Sequence, residues 1–172
     1  MLRELDRAMH ITTRGGVMLE IRPASPTDCH DLLKFLQAVN PDDLRFRFLS
    51  SVKPTEVLAR LLAEVDHRSR EDLVAFDARD GSIAATAMIA NGHAPGWAEV
   101  SVLVRSDLKG RGVGWAMLNK ACDYARSRGY KFAECVEAST NRRAIQLERE
   151  QGFTGRLHPD DAELTILMKA LD

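Results

Sequence analysis

Apolar and polar positions alternate or recur along this chain in a way that predicts short strands interleaved with amphipathic helices. Residues 17–22 form an apolar-polar stretch closed by Pro23, which suits a first strand because proline cannot donate to a ladder. Ser25 then offers an N-cap with Pro26 at the first helical position, and Leu32, Leu33, Phe35, Leu36 and Val39 give a helical stripe that Asn40-Pro41 ends. Two short helices follow over 42–49 and 54–65, the second with Val57, Leu58, Leu61, Leu62 and Val65 on one side. The runs 73–78 and 82–90 flank Arg79-Asp80-Gly81, and Asp-Gly predicts a hairpin of strands two and three.

After the turn-rich 91–96, residues 97–105 give a fourth strand with Val100, Val102 and Val104 on one face and Glu99, Ser101 and Leu103 on the other. A long helix over about 112–128 repeats Val113, Met117, Ala121 and Ala125 every four residues, and Gly129 stands just past its end. Strand five is expected at 132–136, a last helix from a Thr140 cap to Gln151, and closing strands at 153–157 and 164–168. Strands and helices are mixed, with one β-α-β unit at the centre, so the expectation is an α/β (α+β) domain with a mixed sheet and helices on both faces. Residues 1–16 are charged and read as a flexible tail, with a short helix through Leu2, Leu5 and Met9; a single domain spans 17–172.

Composition narrows the partners. The chain has 172 residues, enough for one core, and its 45% hydrophobic and 28% charged residues fit a soluble domain. A net charge of -1 supplies no field toward nucleic acid or an anionic membrane, so any anion must be held locally. Cys29, Cys122 and Cys135 are unpaired by spacing, the last two in apolar surroundings that suggest inert packing. With no secretory leader, the reading is a cytoplasmic protein with free thiols. His10, His30, His67, His93 and His158 fall at no ligand spacing, and no metal is expected.

The segment Lys109-Gly110-Arg111-Gly112-Val113-Gly114 follows a predicted strand and opens a predicted helix. Glycines there let a phosphate approach the backbone, and a helix start presents unpaired N–H groups and positive dipole. Arg111, Lys109 and Arg105 add charge. A glycine turn that merely packs a helix on a strand would look the same. The segment lacks the Gly-Lys-Ser/Thr ending of a nucleotide loop, and no acidic residue closes a second strand, which disfavours nucleoside triphosphates and NAD.

The run Val100 to Arg105, then Asp107 to Gly114 with Ala116, Met117 and Leu118, resembles the acyl-CoA loop of the GCN5-related N-acetyltransferase (GNAT) superfamily, written Gln/Arg-x-x-Gly-x-Gly/Ala. Gly112 and Gly114 match, and Lys109 departs conservatively. Asn141-Arg-Arg-Ala144 with Leu147, closing on Gly152-Phe153, resembles a second family motif, and Ile21 to Asp28 the first strand and helix start. Asn40 to Phe48 and Arg105 to Gly112 resemble bacterial protein lysine acetyltransferases that modify acyl-CoA synthetases. The resemblance implies a mostly antiparallel sheet of about seven strands, flanked by helices and splayed between strands four and five.

It further implies acetyl-CoA as co-substrate, with no metal. Backbone groups of Val102, Leu103 and Val104 would pair with the pantetheine arm. Lys109, Gly110, Arg111, Gly112, Val113, Gly114 and Trp115 would hold the pyrophosphate, and Asn141 and Arg143 would contact pantetheine or ribose phosphate. A lysine acceptor with a free pKa of about 10.4 must lose a proton. Glu99 stands where the resembled enzymes carry a glutamate base, and Leu103 N–H is a candidate oxyanion donor. Many members place a tyrosine acid seven residues after the motif asparagine; here that position is Glu148, a candidate acid or else a surface residue paired with arginines. Trp97, Phe46, Phe48 and Trp115 are candidates for an acceptor groove or for the core, and His93 for the acceptor loop. The expected partners are an acceptor amine, first a protein lysine such as one on an acyl-CoA synthetase and second a small-molecule amine, and a second copy of the chain in a homodimer. A non-catalytic acyl-CoA sensor is the alternative of another class.

Overall fold

The computed structural model describes residues 8–172. Eight strands form one sheet in the order β1-β2-β3-β4-β5-β6-β8-β7. They are β1 (Met9–Thr12), β2 (Met18–Pro23), β3 (Arg70–Asp77), β4 (Ile83–Asn91), β5 (Trp97–Val104), β6 (Phe132–Ala138), β7 (Thr154–Leu157) and β8 (Leu164–Ala170). Every neighbouring pair is antiparallel except β5–β6. The helices are α1 (Cys29–Gln37), α2 (Pro41–Phe48), α3 (Glu56–Ala63), α4 (Val113–Ser127) and α5 (Arg142–Glu150).

Period-two alternation in the strands gives the sheet two apolar faces. On one, Val113, Met117, Ala121 and Ala125 of α4 pack over Ala98, Val100, Ala133 and Cys135. On the other, Leu32, Phe35 and Leu36 of α1 and Ala59 and Leu62 of α3 pack over Val74, Ile83 and Leu103. Leu36 and Met117 are fully buried, and truncating either to alanine would cost about 2–5 kcal/mol. The Asp80-Gly81 turn closes β3 on β4 with Gly81 at φ 72°, a conformation that glycine adopts without strain.

The parallel β5–β6 pair is brief. It holds only at Trp97↔Phe132, Ala98↔Ala133 and Glu99↔Glu134, so beyond Val100 the β6 side of β5 has no partner strand. The expected splay between the predicted fourth and fifth strands is present at this point.

Four expectations need correction. The sheet has eight strands rather than about seven, because part of the predicted tail is β1, which pairs with β2 from Met9↔Ile21 to Thr12↔Met18. Met9 and Ile11 pack on the first core, so the strand earns its place by tertiary burial that its four residues do not advertise. Met9 is thus a strand residue, and Leu2 and Leu5 of the predicted short helix lie outside the described residues. Lastly, Asn40 begins α2 rather than only ending α1, accepting from Asp42 N–H at 2.8 Å, and Asn141 rather than Thr140 caps α5.

Candidate active site

The loop after β5 has the backbone of an anion cradle. Gly110 and Gly112 both adopt left-handed conformations, at φ 75° and 78°, and the Arg111 N–H between them donates to the Leu108 carbonyl at 3.4 Å. The first bond of α4 runs from Ala116 N–H to the Gly112 carbonyl at 3.1 Å, so the amides of Val113, Gly114 and Trp115 point out of the helix start. Gly114 lies close to α5: an added Cβ would be 3.3 Å from Leu147 Cδ1, a tight contact that the leucine would have to relieve.

The β1–β2 turn supports this loop from behind. Thr13 Oγ1 donates to the Arg111 carbonyl at 2.7 Å, and Gly15 N–H donates to the same oxygen at 3.2 Å. A Cβ on Gly15 would fall 2.5 Å from that oxygen. Arg14 lies over the Trp115 ring, 4.3 Å from its centroid. Thus the turn that sequence assigned to a loose tail holds the cradle's shape.

Side-chain charge is arranged differently from expectation. Lys109 is already paired with Asp43 of α2, its Nζ 2.6 and 2.7 Å from the two carboxylate oxygens. Arg105 turns away from the loop to Asp107 and Ser82. Arg111 reaches back to the Gly15 carbonyl at 3.3 Å. Arg143 is exposed, with a guanidinium nitrogen 3.1 Å from where a Cβ on Gly110 would lie, and among the described residues it has no ion pair.

A cavity of about 220 Å3 runs from this loop into the splay. Its wall includes Val102, Leu103 and Val104. Arg105 N–H bonds to the Ala84 carbonyl and Gly92 N–H to the Trp97 carbonyl, and the β4–β5 register is unbroken between them. In antiparallel pairing the hydrogen-bonded residues alternate, so Leu103 is engaged with Thr86 while Val102 and Val104 present N–H and C=O to the open side. This corrects Leu103 as a backbone ligand and as an oxyanion donor; Val102 and Val104 keep the expected placement.

At the cavity wall, Glu137 and Glu148 meet. Glu148 is 5% exposed and its Oε2 has no hydrogen-bond partner, so it is no surface residue. Burial, then the charge and hydrogen bond of Glu137, push its carboxyl up to about 9. It is therefore neutral at pH 7. Glu137 is also raised by burial, opposed by hydrogen bonds from Glu148 and Asn141. Asn141 lines the cavity with its amide already in use: Nδ2 donates to Glu137 at 2.8 Å and Oδ1 accepts from Ala144 N–H at 3.5 Å. Both ends of its amide are thus engaged within the protein, one of them holding Glu137. Burial raises both the Cys122 thiol, to about 11, and the Cys135 thiol, which keeps them protonated and unreactive.

Glu99 lies outside the cavity lining, two residues along β5 from Ser101, which lines it. Burial and neighbouring Glu134 raise its pKa, and Arg47 of α2 opposes them. Arg47 lines the cavity; burial lowers its pKa, with the charge of Asp72 opposing. Among the aromatic candidates, Phe46 and Trp115 line the cavity, Phe48 packs on the second core, and Trp97 stacks on Phe132. His93 is bonded to Glu134 through both its N–H and its ring.

A family model described as acetyltransferase (GNAT) matches residues 38–153. The chain belongs to that family. Among curated proteins it is 32% identical over 105 residues to "Acetyltransferase Pat" of Mycolicibacterium smegmatis, covering 60% of this chain and 32% of that one. The chain spans less than a third of the length of the curated relatives it matches. The GNAT domain of the S. lividans PAT protein superposes with a TM-score of 0.85 at 23% identity, covering 95% of this chain and 96% of that one. A spermidine N-acetyltransferase from Vibrio cholerae, solved in complex with CoA and spermine, superposes with a TM-score of 0.71 at 15% identity over 89% and 95% of the two chains. Both structures share the GNAT fold.

Asp43, Arg47, Glu137, Thr13 and Gly15 went unnoticed in the sequence. Asp43 and Arg47 fall within the stretch from Asn40 to Phe48 that carries the subfamily resemblance but were not singled out there, and each of the five reaches the site across the fold. Only the Glu137-to-Asn141 spacing of four carried a local hint.

Proposed function

We propose that this chain transfers an acetyl group from acetyl-CoA to a primary amine, with a protein lysine as the first acceptor class. The observation that carries this reading is the open edge of β5: Val102 and Val104 have no β6 partner, and the gap leads into a cavity that ends at the glycine-rich amides. Amides of the pantetheine arm can add to that edge as a strand would. A diphosphate suits the left-handed glycines and the start of α4.

Glu99 takes the proton from the acceptor. Its raised pKa makes it a stronger base than an ordinary carboxylate. The cation of Arg47 nearby disfavours the ammonium form of an entering amine. The free amine attacks the thioester carbon, forming the C–N bond while the carbonyl electrons move to oxygen, toward Val102 N–H. Collapse breaks the C–S bond, and neutral Glu148 gives its proton to the departing CoA sulfur. The nitrogen's second proton leaves through solvent and restores Glu148, and Glu99 releases its own proton to solvent, so an ammonium acceptor and the thioester give amide, CoA thiol and one released proton.

Similarity to Acetyltransferase Pat supports a protein acceptor; the fold shared with a spermidine N-acetyltransferase supports a small amine as the second reading. Incubating the pure chain and acetyl-CoA with a cell lysate and analysing the products by mass spectrometry separates them. Acetyl-lysine on a protein is the expected product. Acetylated polyamines alone would favour the second reading, and unconsumed thioester would refute both.

A further inference from the structure

Outside the cofactor cavity, the start of the β5–β6 pair carries a second built surface. Trp97 pairs with Phe132, and two residues on Glu99 pairs with Glu134. Side chains alternate along a strand, so these four stand on one sheet face, the aromatic pair about 6.6 Å from the acidic pair. The Trp97 and Phe132 rings stack with centroids 4.6 Å apart, and the His93 ring stands 4.7 Å from Trp97. Phe132 is 39% exposed, a large apolar side chain left facing solvent.

The acidic pair is held for a purpose that packing alone does not require. Glu134 is 4% exposed, and both its oxygens are occupied by His93: the backbone N–H donates to Oε1 at 2.8 Å, and ring Nδ1 lies 2.5 Å from Oε2. Gly92 permits this approach, since a Cβ there would fall 2.6 Å from Oε1. Glu99 beside it has no hydrogen bond or ion pair among the described residues; its surroundings act on it only through burial and charge.

We propose that this face is the acceptor site, and that its occupant is a lysine side chain of a partner protein, its alkyl stem across Trp97 and Phe132 and its nitrogen at Glu99. The inference rests on the acetyl-transfer reading above. The four-carbon stem of lysine spans about the strand-direction separation of the two pairs. Aromatic faces attract a cation and cover methylenes, and a carboxylate without a partner completes the complementarity. The surface is open rather than enclosed, which suits a residue presented on another protein. Ser101, next on the same face, lines the cofactor cavity and so joins the two sites.

The test uses the full chain with acetyl-CoA and two acceptors, Nα-acetyl-lysinamide and spermidine, read by thiol release and mass spectrometry. Phe132→Lys places a like charge on the platform. It should raise KM for Nα-acetyl-lysinamide at least tenfold and move KM for acetyl-CoA less than twofold. Phe132→Tyr, which keeps the ring, should stay within threefold of the original. Val57→Ala, at an exposed position on α3, should change neither constant, and thermal unfolding reports separately on any loss of fold. An unmoved acceptor KM in Phe132→Lys, or an equal rise for both substrates, overturns the site. Higher kcat/KM for spermidine than for Nα-acetyl-lysinamide overturns the protein-lysine assignment. Failure of the unaltered chain to acetylate either amine overturns the transfer reading itself, and this site with it.

Discussion

Replacing Glu148 with glutamine isolates the proton that the buried carboxyl pair holds. The amide keeps the volume of the acid and still donates to Glu137, but it has no proton to release. Well below pH 4.5, the Glu148 carboxyl is neutral in the folded and the unfolded chain alike. Between the ordinary value of 4.5 and about 9, only the unfolded chain has lost the proton, so folding takes one up and stability falls as pH rises. At about 1.4 kcal/mol per pH unit, the loss from pH 4.5 to pH 7 is roughly 3 kcal/mol. Denaturant unfolding of Glu148→Gln across pH 5–9 should therefore show a flatter pH dependence, by close to one proton, and a relative gain of that order at pH 7. In turnover, the same change should remove the alkaline fall in kcat near pH 9 and lower kcat about a hundredfold, the usual scale for a general acid. Because the pair shares its protons, the fall belongs to Glu137 and Glu148 together. An unchanged alkaline limb and an unchanged stability slope in the variant would refute the reasoning.

Three further outcomes follow from the geometry. Glu99→Gln should leave acetyl-CoA binding within about twofold while lowering turnover at least tenfold, and the acid limb of kcat/KM, which Glu99 sets above the ordinary glutamate range, should disappear; unchanged turnover would sink the base assignment. Asp43→Asn should free Lys109 from its half-buried ion pair and tighten acetyl-CoA several-fold by calorimetry, with the gain shrinking at high salt; weaker binding would show that Asp43 orders the loop instead. Gly15→Ala drives a Cβ against the Arg111 carbonyl and should weaken acetyl-CoA about tenfold, whereas an exposed substitution such as Val57→Ala leaves it unchanged.

Periodicity was enough to locate most elements because their signals are local. The stripe through Val113, Met117, Ala121 and Ala125 marks α4, and Asp80-Gly81 marks the β3–β4 turn. Glycines 110, 112 and 114 announced a tight turn into a closely packed helix start, since their effect is written in the residues themselves. By contrast, β1 is four residues long, and nothing within it competes with a reading as tail until β2 lies alongside.

The sequence alone determined the order of the elements, the glycine-bearing start of α4 and the face of β5 that carries Glu99. Tertiary structure decided which backbone groups of β5 remain free, because that depends on pairing register with β4 and on where β6 departs. It also decided that Glu148 is a neutral acid rather than a solvated carboxylate, and that Lys109 meets Asp43 from 66 residues away. Ionisation and hydrogen-bond satisfaction are set by burial and by partners brought together through folding, and no spacing along a chain records them.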